Sequence, residues 1–269
     1  MPFTMVHLIV ADKVSNTLLK QNVTIQDNTS KSFAFFGPQY FLGSISPDAV
    51  YNRENFTSDF KKDAHLCADT EKWGMTTNDD AWKGNVICFL REQINSQEKD
   101  FVLGYCCHIL TDIYNNMAIW TPFKRKYQAE IEKGFGNLYH QESSRVDVEL
   151  ALTYERREFY WENIKKAEGI NLPDFIYAEE IEQQKEKILH VWFKDKERPD
   201  ISSHQEITYE STMVFIEHAT EFVVSVFQEF LGGWLLSARC GNRNCSGSSV
   251  ADNKKWSESN VANNRGIFF

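Results

Sequence analysis

The chain has 269 residues, 42% of them hydrophobic and 25% charged, a globular balance that excludes wholesale disorder. Its 20 Phe, 10 Tyr and 7 Trp suffice for one large core, whereas 13 Gly and 6 Pro are too few turn signals for a many-stranded sheet protein. The formal charge of −9 counts against a nucleic-acid scaffold, because phosphate contacts need clustered cations.

The opening residues, MPFTMVHLIVADKV, lack the basic region, long apolar run and small-residue cleavage site of an export signal. The most apolar stretch, Phe222 to Leu236, is 15 residues long and interrupted by Gln228 and Glu229, too short and too polar to span a bilayer. A cytoplasmic protein is therefore expected, with Cys67, Cys88, Cys106, Cys107, Cys240 and Cys245 as thiols and not as a disulfide framework.

Nearly every periodic segment repeats at 3.6 residues. Thr4 is placed to cap a helix to about Leu19, with Val6, Val10 and Val14 on one face. After a loop at Thr29 to Lys31, FFGPQYFLGSISPDAV reads as a short apolar helix ending near Pro47. Asp79 is placed to cap a helix from about Asp80 to Ile94, striped by Trp82, Val86, Phe89 and Leu90. Phe101 to Asn116 is apolar almost all round and suits a bundle centre. Further helices are predicted over Leu138 to Ala167, over Ala178 to Phe193 with Ile181, Ile188 and Leu189 inward, and after a capping box at Ser203 and Glu206. The fold expected is all-α: one multi-helix domain over residues 1–240, then a polar tail over 241–269 rich in Asn, Ser and Gly.

The chemistry concentrates on histidines and acids. His108 and Asp112, in FVLGYCCHILTDIYNNM, are one turn apart on the most buried-looking helix. An ion pair that satisfies itself and a shared metal account for that spacing equally well. Gly104, a turn earlier, leaves room for a neighbouring helix. His7 shares the side of Val10, Val14 and Leu18, where a satisfied core histidine is the commoner outcome. Asp48 follows Pro47, the usual setting of a turn residue, and His65 in KKDAHLC could be a partly exposed helical histidine.

Taken together these elements point further. His7 on an N-terminal helix, the G-x-x-x-P-D segment Gly43 to Asp48, His65 soon after, and G-Y-x-x-H-x-x-x-D from Gly104 to Asp112 occur in one order. The chain thereby resembles the zinc-dependent phospholipase C family, whose superfamily also holds single-strand-specific nucleases. The likeness is close from Met1 to Trp120 and loose beyond. It implies an all-α bundle of that type with a metal cluster in a cleft. By position, Asp48, His65, His108 and Asp112 would share one zinc, and Asp112 would bridge to a second ion held by His7. The family pattern adds a His soon after HxxxD and a His-x-x-x-Glu on the next long helix. Here Asn116 and Ala118 stand near the first position, and His140 is followed by Ser144, with Asp147 as a substitute for the missing acid.

Mixed His and carboxylate ligands suit zinc, in one to three ions, while iron, manganese or nickel fit the same residue types. The expected function is that of a metal-dependent hydrolase acting on a small phosphodiester or related phosphate ester. Asp48 and Asp112 would be its catalytic carboxylates, Asp48 as a ligand or as the base that orients the water, and Tyr51, Trp73, Tyr105 and Trp120 could line the cleft. The alternatives are a nuclease of the same superfamily, disfavoured by the charge, and a helical protein that binds metal without turnover.

Overall fold

A computed structural model describes residues 3–21, 25–26, 32–33, 36–67, 73–131 and 136–239. Among these the architecture is all-α, with β structure limited to a two-residue antiparallel ladder, Ile25–Gln26 against Ser32–Phe33, and one isolated bridge between Leu172 and Ile176. The described residues up to Phe230 form one compact unit, and those from Leu231 to Arg239 belong to a second. No helix among the described residues is long and apolar enough to cross a membrane.

Two helices make the centre. The α1 helix (Thr4–Lys20) buries Met5 through Asp12 without a break, and the α5 helix (Lys99–Asn115) buries Phe101 through Ile113 likewise. Such helices need neighbours on every side, and α2 (Pro38–Gly43), α4 (Asp79–Gln93) and α8 (Gly136–Thr153) supply them. The α2–α5 crossing is made by glycines. A Cβ on Gly104 would stand 1.9 Å from the Tyr40 carbonyl oxygen, and one on Gly43 would stand 2.1 Å from that of Phe101. The two backbones touch there, as the room left by Gly104 leads one to expect.

The remaining elements are the Pro47–Asn52 3-10 turn, α3 (Ser58–Ala64), α6 (Thr121–Lys126), α7 (Gln128–Ile131), α9 (Arg157–Lys166), α10 (Ala178–Lys187) and α11 (Tyr209–Arg239). Wide π-type turns extend α5 over Asn116–Trp120 and α10 over Ile188–Trp192.

Several local expectations are corrected. Thr4 does not cap α1. Phe3 holds the cap position with no side-chain bond, and the Met5 N–H donates to Asp147 of α8 at 2.8 Å. Asn78, not Asp79, caps α4, accepting from the Ala81 N–H at 3.0 Å. The helix expected over 138–167 breaks into α8 and α9. No Gly or Pro marks that break, which delivers Arg156 and Tyr160 to the buried Asp12. The final capping exchange is between Thr208 and Ser211, whose side chains and N–H groups bond reciprocally at 3.0 Å. Glu206 instead accepts from Lys126 and Tyr127. Ile181 and Ile188 are buried as expected. The loop at 29–31, Cys240, Cys245 and the tail lie outside the described residues.

Candidate metal centre

The glycine crossing that packs α2 on α5 also sets the first ligand. It brings the Ser44 carbonyl, just past α2, to His108 a turn beyond Gly104, and Nδ1 of His108 lies 2.9 Å from that oxygen. A carbonyl can only accept, so Nδ1 carries the proton and Nε2 presents a bare lone pair. His65 repeats the device at the end of α3: its Nδ1 lies 2.9 Å from the Lys61 carbonyl oxygen. The turn holding it is pinned by Trp82, whose Nε1–H donates to the His65 carbonyl at 2.7 Å, and by Tyr105, whose hydroxyl donates to the Ala64 carbonyl. Asp48 comes from the 3-10 turn, Asp112 from α5 and His7 from α1, where its ring stacks on that of His108 with centroids 3.6 Å apart.

Four side chains converge, Asp48 through both of its oxygens. His65 Nε2 lies 3.4 Å from Asp48 Oδ1 and 3.5 Å from Asp112 Oδ2. His108 Nε2 lies 3.6 Å from Asp112 Oδ2 and 4.0 Å from Asp48 Oδ2. Tetrahedral coordination at zinc bond lengths of 2.0–2.2 Å puts ligand atoms about 3.4 Å apart, so most of these separations match the edges of a zinc tetrahedron. The second Asp112 oxygen, Oδ1, lies 3.6 Å from His7 Nε2 on the other side. Two overlapping sets result, Asp48–His65–His108 and His7–His108–Asp112, each able to hold an ion.

No protein group satisfies these atoms. Nε2 of His65 and of His108, both ring nitrogens of His7 and both carboxylate oxygens of Asp112 are buried and without a hydrogen-bond partner. Orphaned buried polar atoms are costly, and five of these six face one another, His7 Nδ1 being the exception. A cation placed among them could satisfy all but His7 Nδ1, which more packing could not do.

Electrostatics follow from burial. It holds His7 well below and His65 below the ordinary imidazole value and pushes His108 down to about 3; neighbouring imidazoles add to the effect at His7 and His108, and Lys61 adds to it at His65. Burial raises Asp112 far above the usual carboxylate range, and the charge of Asp48 raises it further. Asp48 goes the other way. Its own burial opposes ionisation, but Lys61 at 2.9 Å and the nearby imidazoles outweigh that and hold it low. The imidazoles are thus ready as neutral ligands, while Asp112 lacks only a cation to ionise.

His7, Asp48, His65, His108 and Asp112 are therefore brought together, from four separate stretches of chain. His140 and Asp147 join neither set. His140 is exposed, beside an open pocket it shares with Phe3, Asn137, Gln141, Ser144 and Arg145. Asp147 is spent on the amino end of α1, where burial raises its pKa to about 7. Of the expected cleft aromatics, Tyr51 and Trp73 adjoin the cluster through Lys61 and His65. Trp120 sits with Tyr139 and His140, and Tyr105 is wholly buried and lines nothing. Cys67, Cys106 and Cys107 are buried and Cys88 is exposed, and none of the four is in a disulfide. Sequence reasoning misses Lys61. Its signal is present: Lys61 precedes His65 by one helical turn, so the face that turns His65 inward buries Lys61 too.

Comparisons with protein-family models, curated proteins and solved structures return no match, so the chemistry of the site rests on its own geometry.

Proposed function

We propose that the chain is a metal-dependent hydrolase, in the first instance a zinc enzyme acting on a phosphodiester or related phosphate ester, of the kind its motifs resemble. One observation carries the reading: oriented imidazole lone pairs and a buried carboxylate stand at tetrahedral spacing with no other partner. When bound, zinc lowers the pKa of a coordinated water toward about 7 and polarises a phosphoryl oxygen.

The residues divide the remaining work. His65 and His108 are locked in one tautomer by backbone carbonyls, so they hold their positions without rearrangement. Asp112 turns one oxygen toward His65 and His108 and the other toward His7. Asp48 is the member that meets solvent, its side chain 22% exposed against 1% or less for the others, so substrate enters on its side. Held ionised by Lys61, Asp48 can accept a proton from the attacking water or orient it. The test is elemental analysis of protein purified without chelator, followed by turnover of a chromogenic phosphodiester. At least one transition ion per chain and metal-dependent hydrolysis are expected.

A second reading has its own support. Asp48, His65, His108 and Asp112 would fill all four positions of one tetrahedral ion, and closed sites are structural. In that case the chain binds metal without turnover: metal present, hydrolysis absent, and stability lost on chelation.

A further inference from the structure

Lys61 is out of place. It is 3% exposed, yet it sits among the atoms that would surround a cation and contributes a positive charge of its own. Its ammonium donates to Asp48 Oδ1 at 2.9 Å and to the Tyr51 hydroxyl, and it lies 4.2 Å from the centre of the Tyr51 ring and 4.8 Å from that of Trp73. An ammonium has three protons, two of which these bonds use. The two rings shield its flanks and hold it by cation–π attraction. Tyr51, which covers it, is 51% exposed, so the pair lies between the buried ligand atoms and solvent.

A lysine wanted only to neutralise Asp48 would not need this cradle, because the ions that His65 and His108 are oriented to receive would neutralise it as well. With an ion on the Asp48 oxygens, the ammonium and the tyrosine hydroxyl become a pair of donors at the solvent side of the centre. Such a pair fits a tetrahedral oxyanion, which presents oxygens both inward and outward.

We infer that Lys61 and Tyr51 form an anion handle that grips a non-bridging oxygen of a phosphate group, beside the ligand cluster. The inference rests on the metal-centre reading above and deepens it. The handle gives the site its preference for phosphate over neutral esters, with Lys61 supplying charge and Tyr51 a directed hydroxyl. Both are positioning residues that act on the substrate's anion.

The probe is inorganic phosphate, titrated calorimetrically into zinc-loaded full-length protein, with zinc content measured for every variant. Wild type should bind phosphate. Lys61→Met should weaken it about tenfold to hundredfold, the range for a lost hydrogen bond to a charged group, and Lys61→Arg should recover much of that loss. Tyr51→Phe, which leaves Lys61 on Asp48, should weaken it about threefold to tenfold at unchanged zinc content. If Lys61→Met loses its zinc, Tyr51→Phe decides: weakened phosphate binding upholds the handle and unchanged binding overturns it. Zinc-loaded wild type that ignores phosphate, or retained affinity in zinc-loaded Lys61→Met, also overturns it and leaves the metal centre standing. A chain that takes up no metal yet binds phosphate through Lys61 overturns the hydrolase and keeps the anion site.

Discussion

Asp112 and Asp12 are both buried carboxylates on central helices, and they are treated in opposite ways. Asp12 accepts from Arg156 at 2.6 and 2.9 Å, from Tyr160 at 3.1 Å and from Asn16 at 3.0 Å. The other buried acids follow it. Glu142 takes the N–H groups of Gln205, Glu206 and Ile207, Glu149 takes Arg198, Glu180 takes Arg53, and Asp147 takes Met5. Asp112 takes nothing, and its neighbours His65 and His108 offer it lone pairs in place of protons. Among the described residues five buried acids receive donors and the sixth receives none, which is the condition a bound cation would relieve.

The comparison breaks most sharply at Asp112 itself. Asp112→Asn should abolish turnover, by at least roughly a hundredfold, and strip the protein of most of its metal, since an amide neutralises neither ion. The metal-free variant should melt no lower than metal-free wild type, because the amide removes a buried acid without a partner. Asp12→Asn should do the reverse, leaving metal content unchanged while lowering stability by about 1–3 kcal/mol. Equal metal loss in both variants would erase the distinction.

Next in size is the crossing that orients His108. Gly104→Ala forces a methyl to within 1.9 Å of the Tyr40 carbonyl oxygen, and backbone cannot yield there cheaply. A cost of about 1–3 kcal/mol or more is expected, with weaker metal binding as Ser44 moves away from His108. Thermal melts with and without chelator separate the two effects. A variant as stable and as metal-rich as wild type would show that the crossing is not what sets the ligand.

Acid provides a third test. His108 is held down to about 3 by burial, below the 6.5 of a free imidazole in the unfolded chain. Between those values the unfolded state binds the extra proton, so the stability that His108 contributes to metal-free protein falls as pH drops through about 6.5 toward 3. Removing the imidazole by His108→Gln should flatten that fall, while Asp112 and Asp147, both raised, push the other way in either protein. An unchanged slope in the variant would mean that His108 is not protected from protonation by the fold.

The central helices were legible because their signals are local. An apolar face every 3.6 residues gives α1 and α5, and Gly104 a turn before His108 gives the close approach of α2. The convergence of His7, Asp48, His65, His108 and Asp112 was legible through motif order, since spacing alone left each residue ambiguous. What the sequence concealed depends on partners far along the chain. Asp147 reads as a spare ligand seven residues after His140, and nothing nearby says that the bare amino end of α1, 142 residues away, will claim it. The break between α8 and α9 has no Gly or Pro, only the distant demand of Asp12 for Arg156 and Tyr160. Lys61 reads as one member of an ordinary Lys-Lys pair until the fold buries it.

Asp147 yields the smallest expected effect and the sharpest sign. If it only closes the end of α1, Asp147→Asn should change metal content and turnover by less than about twofold, because an amide oxygen still accepts from the Met5 N–H. The charge difference should appear in stability alone. The carboxyl titrates at about 7 in the folded protein and near 3.9 in the unfolded chain. From pH 4 to 7 the folded state therefore holds the extra proton, and the stability this acid contributes is full below 4 and lost as pH rises through 7. Asn has no such dependence. Melting temperatures of wild type and Asp147→Asn should diverge by a few degrees over that interval, with wild type falling relative to the variant as pH increases. Parallel curves would remove the buried titration, and loss of metal in Asp147→Asn would return this residue to the ligand set from which its place on α1 now separates it.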